Sequence, residues 1–298
     1  MTSTHVEGRV GFRDGETWYR VTGDLASGNT PLVVLHGGPG ATHDYVSSLA
    51  RLSSTGRAVV HYDQLGCGRS SHFPDRGTDF YEVGLFLDEL DNLLGHLGIA
   101  ERYHLLGQSW GGMLGAEHAI TQPAGLASLV ISNSPASMAL WVAEATRLRG
   151  ELPDDVREAL DRHERDGTLD DPAYLAATQA FYDRHVCRIV PNPAEVLASF
   201  EAIQADPTVY HCMNGPNEFF CIGSLRTWSV VDEVHAIAAP TLLISGRFDE
   251  ATPATVQPYF DGIRDVWWEI LEHSSHMPFL EEPERFDEVV TGFLAAND

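Results

Sequence analysis

Two periods of apolar residues alternate along this 298-residue chain, and together they set its architecture. The first is short and continuous. PLVVLHGG, RAVVHYDQLG, RYHLLGQ, LASLVISN, PTLLISG and VWWEILEH each run apolar and β-branched until glycine or a polar turn stops them. Runs apolar along their whole length are what parallel strands covered on both faces require. The second period has the spacing of a helix face, in ATHDYVSSLARL, from about 80 to 97, in WGGMLGAEHAITQ and from about 284 to 295. Strands alternating with helices connect through right-handed crossovers into one sheet, so the pattern predicts an α/β fold, a mostly parallel sheet with helices on both faces. Ahead of this rhythm, VGFRDG and ETWYRVTGD alternate apolar and polar residues around Asp14-Gly15, the pattern of a β-hairpin.

The rhythm breaks near Ser134. From there to about Val234 the chain reads helical and polar (WVAEATRLRGEL, PDDVREALDRHERDG, PAYLAATQAFYDRHV, PAEVLASFEAI), with Pro and Gly at the joins. A helical block set between two strands of a sheet predicts a cap above it. The expected organisation is a core domain of residues 1–133 and 235–298 carrying an inserted helical cap of residues 134–234.

Charge narrows the partners. Forty-three acids against 19 bases give a formal charge of -24, which repels phosphate backbones and anionic lipid, so nucleic-acid and membrane-surface partners are not expected. Every base is Arg. Without Lys there is no Schiff base, no pyridoxal anchor and no phosphate-loop lysine. Cys67, Cys187, Cys212 and Cys221 fall at no paired spacing, which predicts free thiols rather than a zinc site or disulfide framework. MTSTHVEGRVGFRDG lacks the basic-then-apolar order of a signal peptide, and no later run nears the roughly 18 apolar residues of a membrane helix. A soluble, cytoplasmic protein is the expectation.

The chemistry centres on HLLGQSWGGM. Gly107-Gln108-Ser109-Trp110-Gly111 has the form G-x-S-x-G after a predicted strand and at the start of a predicted helix, the context in which a strained turn lifts a serine hydroxyl above a sheet. A serine needs a base, and the base needs an orienting acid; in this architecture they follow in the order Ser, acid, His, beyond the carboxyl ends of later strands. Asp249 follows TLLISGRF and His276 follows VWWEILEHSS. His273 is an alternative base nearer its strand end, and Glu250 an alternative acid. The oxyanion needs backbone donors, one of which is worth about 3–4 kcal/mol in a related setting. Trp110, directly after the serine, supplies one N–H, and the loop His36-Gly37-Gly38-Pro39-Gly40 supplies the other, assigned to Gly38.

Four motifs together carry a resemblance: His36-Gly37-Gly38-Pro39-Gly40, Asp63-Gln64-Leu65-Gly66-Cys67-Gly68-Arg69-Ser70, Gly107-Gln108-Ser109-Trp110-Gly111-Gly112 and Met213-Asn214-Gly215-Pro216-Asn217-Glu218-Phe219. Over nearly its whole length the chain resembles the proline iminopeptidase family of α/β-hydrolases, and within it the branch of the tricorn-interacting aminopeptidase and the L-amino-acid amidases. The resemblance implies an α/β-hydrolase fold and hydrolysis, through an acyl-enzyme, of an amide whose acyl part is an amino acid with a free α-amino group. It implies that Glu218 and Glu250 hold the substrate's ammonium. Carboxylates fit that task, since charged hydrogen bonds of about 1.5–3 kcal/mol each replace lost hydration. An amine anchored beside the scissile carbonyl leaves no room for a preceding residue, so internal peptide bonds are poor substrates.

Many members of the family carry Gly where this chain has Gln108, as amidase-like members do, which leaves the preferred N-terminal residue open between Pro and other small or apolar residues. The expected partner is a small molecule or short peptide with a free N-terminus, and neither metal nor organic cofactor is implied. Three alternatives stand beside this reading: an esterase or lactonase for amine-free substrates, a biosynthetic hydrolase that removes a protecting aminoacyl group, and a binding protein that kept the fold without turnover.

Overall fold

The computed structural model describes residues 5–298, so Met1–Thr4 of the stretch read above for a signal peptide lie outside the described residues. Eight strands form one sheet: β1 (His5–Phe12), β2 (Gly15–Thr22), β3 (Leu32–Leu35), β4 (Val59–Asp63), β5 (Tyr103–Gln108), β6 (Leu126–Ser132), β7 (Thr241–Gly246) and β8 (Val266–Leu271). Their spatial order is β1-β2-β4-β3-β5-β6-β7-β8. β1 and β2 form the amino-terminal hairpin, β2 pairs antiparallel with β4, and every later pairing is parallel.

Alternating side chains on the central strands divide between the faces. Val33, Leu35, Val60, Tyr62 and Leu105 pack on one face with Leu90 of helix α1 (Val83–Leu97) and Trp110 of helix α2 (Trp110–Ile120). Leu32, Val34, Val59, Leu106 and Ile244 face the other way, onto Leu49 and the carboxyl-terminal helix. The four residues of β3 have no exposed side, as a strand sandwiched between helix layers must.

Between β6 and β7 the chain runs through helices α3 (Met138–Gly150), α4 (Asp154–Asp166), α5 (Pro172–His185), α6 (Ala194–Ala205) and α7 (Thr208–Met213). Ser137 caps α3 and Asp171 caps α5, each accepting a hydrogen bond from an early backbone N–H of its helix. Leu148, Leu160, Tyr174, Phe181 and Phe219 form a small apolar cluster within this block. The chain then returns through α8 (Pro253–Gly262), α9 (Pro278–Glu281) and α10 (Pro283–Ala296), the helix expected at about 284–295.

Two elements differ from the expectation. ATHDYVSSLARL, expected as an α-helix, is an irregular turn that becomes a 3-10 helix only over Ser47–Thr55. Side chains hold the backbone of the turn: His43 N–H donates to Asp63 at 2.7 Å, Asp44 N–H to the Thr42 hydroxyl at 3.3 Å and Tyr45 N–H to the Ser199 hydroxyl at 3.2 Å. α8 occupies residues the apolar pattern left unassigned, and Pro258 inside it removes one helical donor.

Candidate active site

The site lies where four neighbouring parallel strands end. Ser109 follows β5, Asn133 follows β6, Asp249 lies beyond β7 and His276 beyond β8. Residues from opposite ends of the chain meet because the sheet lines up their carboxyl ends.

Ser109 sits in a conformation that only a forced turn supplies, with φ 55° and ψ -124°, between the last residue of β5 and the first of α2. That turn demands glycine around it. A Cβ on Gly107 would stand 2.0 Å from the carbonyl oxygen of Gly111, and one on Gly111 would stand 2.0 Å from that of Leu35. Backbone therefore packs directly on backbone, and the serine is held at the amino end of α2, where unpaired amides and the helix dipole favour negative charge. Trp110 N–H is the first of those amides. Its indole N–H donates to Gln64 at 2.8 Å, and Gln64 in turn donates to the His36 carbonyl at 2.9 Å, tying the elbow to the loop that carries Gly38. Gln64 N–H donates to His36 Nε2 at 3.0 Å, so the neutral His36 keeps its proton on Nδ1 and donates it to the Gly37 carbonyl at 2.9 Å. Burial lowers the pKa of His36, consistent with that neutral ring.

His276 Nδ1 is 2.7 Å from Asp249 Oδ1. The other carboxylate oxygen of Asp249 accepts from the Asn133 amide at 2.6 Å, and Ala251 N–H donates to Oδ1 at 2.8 Å. Burial alone would push the proton off His276, but the charge and hydrogen bond of Asp249, with Glu218 and Glu281 behind, outweigh it and hold the pKa above the ordinary histidine value. The alternative residues stand apart from this pair. His273 is exposed, with its N–H donating to Glu282 at 2.9 Å, and Glu250 meets His276 through the opposite nitrogen, Nε2, at 3.8 Å.

Ser109, His276, Gly38, Gln108, Glu218 and Glu250 line one cavity. Gly38, Trp110, Ser109 and Glu218 also border an adjoining space walled by Met138 and Trp141. Ser109 Oγ makes no hydrogen bond with His276 among the described residues; such contacts commonly tighten only when substrate is bound.

The two glutamates face this cavity from different directions. Glu218 comes from the segment after α7, where its carbonyl accepts from the Trp141 indole at 2.6 Å and its carboxylate from the Tyr210 hydroxyl at 2.6 Å. Glu250 is 1 % exposed, and neither of its carboxylate oxygens has a hydrogen-bond partner among the described residues. Burial, then the charges of Glu218 and Asp249, push its pKa well above the usual carboxylate range. Glu218 is raised as well, by burial, against the lowering effects of Tyr210 and His276. A buried carboxylate without a donor is costly unless a cation or a proton satisfies it.

Sequence reasoning missed Asn133 and Tyr45. Asn133, buried and at φ 54°, braces the acid, and its only signal was its place directly after a strand ending on the same sheet edge. Among the described residues no group of three or more His, Cys, Asp or Glu side chains is arranged to hold a metal ion, and no helix is long and apolar enough to cross a membrane.

A nucleophile elbow on a mostly parallel eight-stranded sheet is the mark of the α/β hydrolases, and the alpha/beta hydrolase fold family matches residues 30–283 of this chain. The relatives narrow this further. The chain is 37% identical to the proline iminopeptidase of Clostridium botulinum over 294 residues, covering 98% of this chain and 99% of that protein. It is 39% identical to the proline iminopeptidase of Saccharolobus solfataricus over 276 residues, covering 93% and 87%. Among solved structures, the proline iminopeptidase of Mycobacterium smegmatis is 52% identical with a TM-score of 0.91 and 98% of each chain covered. The crystal structure of VinJ is 57% identical with a TM-score of 0.97, covering 98% of this chain and 99% of that one. The chain belongs to the proline iminopeptidase family and is a hydrolase of the serine-peptidase type.

Proposed function

We propose that this enzyme is an aminopeptidase or amidase that releases an amino acid with a free α-amino group from the amine attached to its carboxyl. Ser109 attacks the carbonyl while His276 takes the hydroxyl proton. Asp249 holds the imidazole with its proton on Nδ1, so that Nε2 is the basic nitrogen. The N–H groups of Gly38 and Trp110 receive the oxyanion. His276 passes its proton to the departing amine, and water then releases the amino acid from Ser109 by the same steps. Glu218 and Glu250 pair with the substrate's ammonium.

One observation carries this reading: Glu250 is buried with both carboxylate oxygens free of hydrogen-bond donors among the described residues, in the cavity shared by Ser109 and Glu218. An ammonium supplies the missing donors, whereas an amine-free acyl group would leave the Glu250 carboxyl without a partner in the cavity. The names of the relatives support the same class of bond.

Residues 134–234 are proposed to act as a lid, since this block has its own apolar cluster and carries Glu218. The proposed setting is the cytoplasm. All four cysteines are unpaired, which suits a reducing compartment.

The test is a panel of prolyl, alanyl and leucyl arylamides, each with a free and an N-acetylated amine, on wild type, Ser109→Ala and Glu218→Gln. Free-amine substrates are expected to turn over and acetylated ones to fail, with Ser109→Ala inactive and Glu218→Gln losing about 10- to 100-fold in kcat/KM, the worth of one charged hydrogen bond. Equal rates on free and acetylated substrates would overturn the amine anchor and favour an esterase-like reading.

A further inference from the structure

Tyr45 and Gln108 make contacts that the mechanism above does not use. The Tyr45 hydroxyl accepts from Gly37 N–H at 2.6 Å and donates to Gln108 Oε1. The other end of the same amide, Gln108 Nε2, donates at 2.9 Å to the backbone carbonyl of His276. An unbroken chain of hydrogen bonds thus joins the loop after β3, the elbow after β5 and the loop after β8. It touches the neighbour of Gly38, the neighbour of Ser109 and the main chain of the base itself.

The surroundings fit a rigid brace. Gln108 is 1 % and Tyr45 4 % exposed, and both line the cavity beside Ser109 and His276. The Tyr45 ring lies 6.1 Å from that of Phe279, in the segment just after His276, and Tyr45 N–H is held by Ser199 of α6. The approach is close enough to dictate a residue type: a Cβ on Gly37 would stand 2.7 Å from the Tyr45 hydroxyl oxygen and 3.0 Å from Gln108 Oε1. The amide orientation is unambiguous, because a carbonyl must face the hydroxyl donor and an NH₂ must face the His276 carbonyl.

We propose that Tyr45 and Gln108 are positioning residues that lock the oxyanion loop and the histidine loop to one another across the nucleophile elbow. The proposal rests on the reading of Ser109, His276 and Gly38 as the machinery. Neither side chain takes part in bond making. Their effect is geometric: with the chain intact, the donor at Gly38 and the imidazole of His276 keep one fixed placement about Ser109. A family member with glycine in place of Gln108 has no side chain to close this circuit and must hold the two loops by other means.

The experiment is steady-state kinetics on a free-amine aminoacyl arylamide with Tyr45→Phe, Gln108→Met and the double variant, thermal melts confirming folding. Each single variant is expected to lower kcat about 10- to 100-fold while KM stays within about threefold, because loose placement costs the transition state more than substrate binding. The double variant is expected to fall no more than about threefold below the weaker single, since either change already breaks the chain. Gln108→Glu supplies a readout that simple packing would not move. It keeps the acceptor for Tyr45 but donates to the His276 carbonyl only when protonated, so its activity relative to wild type should rise as the pH falls. That variant also carries the test if Gln108→Met does not fold.

A Tyr45→Phe kcat within about threefold of wild type, losses confined to KM, or losses that multiply in the double variant would each overturn the proposal. If those results came with an active wild type and an inactive Ser109→Ala, the proposed function would survive. A wild type inactive on every free-amine substrate would overturn both.

Discussion

At the residue scale, the electrostatics of His276 make a prediction that needs no substrate. Its pKa is held above the ordinary histidine value by Asp249 and, more distantly, by Glu218 and Glu281. The base must be neutral, so reactivity is lost at low pH and gained as the pH rises through that elevated value. The rate of fluorophosphonate labelling of Ser109 is expected to rise with a midpoint above about 6.5, and Glu218→Gln should move the midpoint down by removing one nearby negative charge. A wild-type midpoint below that value, or one that Glu218→Gln leaves in place, would contradict the assigned electrostatics. Asp249 and His276, the acid and base of the proposed mechanism, were legible in the sequence because that mechanism needs such residues beyond strand ends in a set order. Asn133 and Tyr45 were not, because a hydrogen bond between segments as distant as Asn133 and Asp249 leaves no trace in local periodicity.

At the element scale, the strand–elbow–helix unit from β5 to α2 explains the glycines that crowd Ser109. Gly107→Ala would drive a methyl against the Gly111 carbonyl, and backbone, unlike a flexible side chain, has nowhere to go. The expected result is a large loss of thermal stability, about 10 °C or more, or failure to fold, as for strain forced into a packed core. A melt within about 2 °C of wild type would show that the elbow is looser than described. The same scale explains where the periodic pattern misled. Residues 41–52 have the apolar spacing of a helix, yet only Ser47–Thr55 coil, as a 3-10 helix, while the amides of residues 43–45 are held by Asp63, Thr42 and Ser199.

At the scale of the whole molecule, the net charge of -24 does for a cationic substrate the opposite of what it does for phosphate. A negative field concentrates ammonium-bearing molecules near the protein, and Glu218 and Glu250 lie at the end of that field in a shared cavity. Raising NaCl from about 20 to 500 mM is expected to lower kcat/KM for a free-amine arylamide several-fold through its association rate, with little change in kcat at saturation. Independence of salt would mean that the acids act only at contact distance, not through the summed field.

The sequence by itself determined the α/β architecture and the place of Ser109, Asp249 and His276 at strand ends, the order that the proposed mechanism uses. Those follow from apolar periodicity, from glycines demanded by backbone crowding, and from the rule that a parallel sheet presents its chemistry at strand ends. Only the tertiary structure decided what surrounds each of these groups. Glu250 has no hydrogen-bond donor among the described residues, Glu218 reaches the same cavity from after α7, and Tyr45 closes a circuit through Gln108 to His276. The physical reason is range. Periodicity records what each residue does within its own turn of chain, whereas desolvation and hydrogen bonding depend on groups that meet only when distant segments pack together.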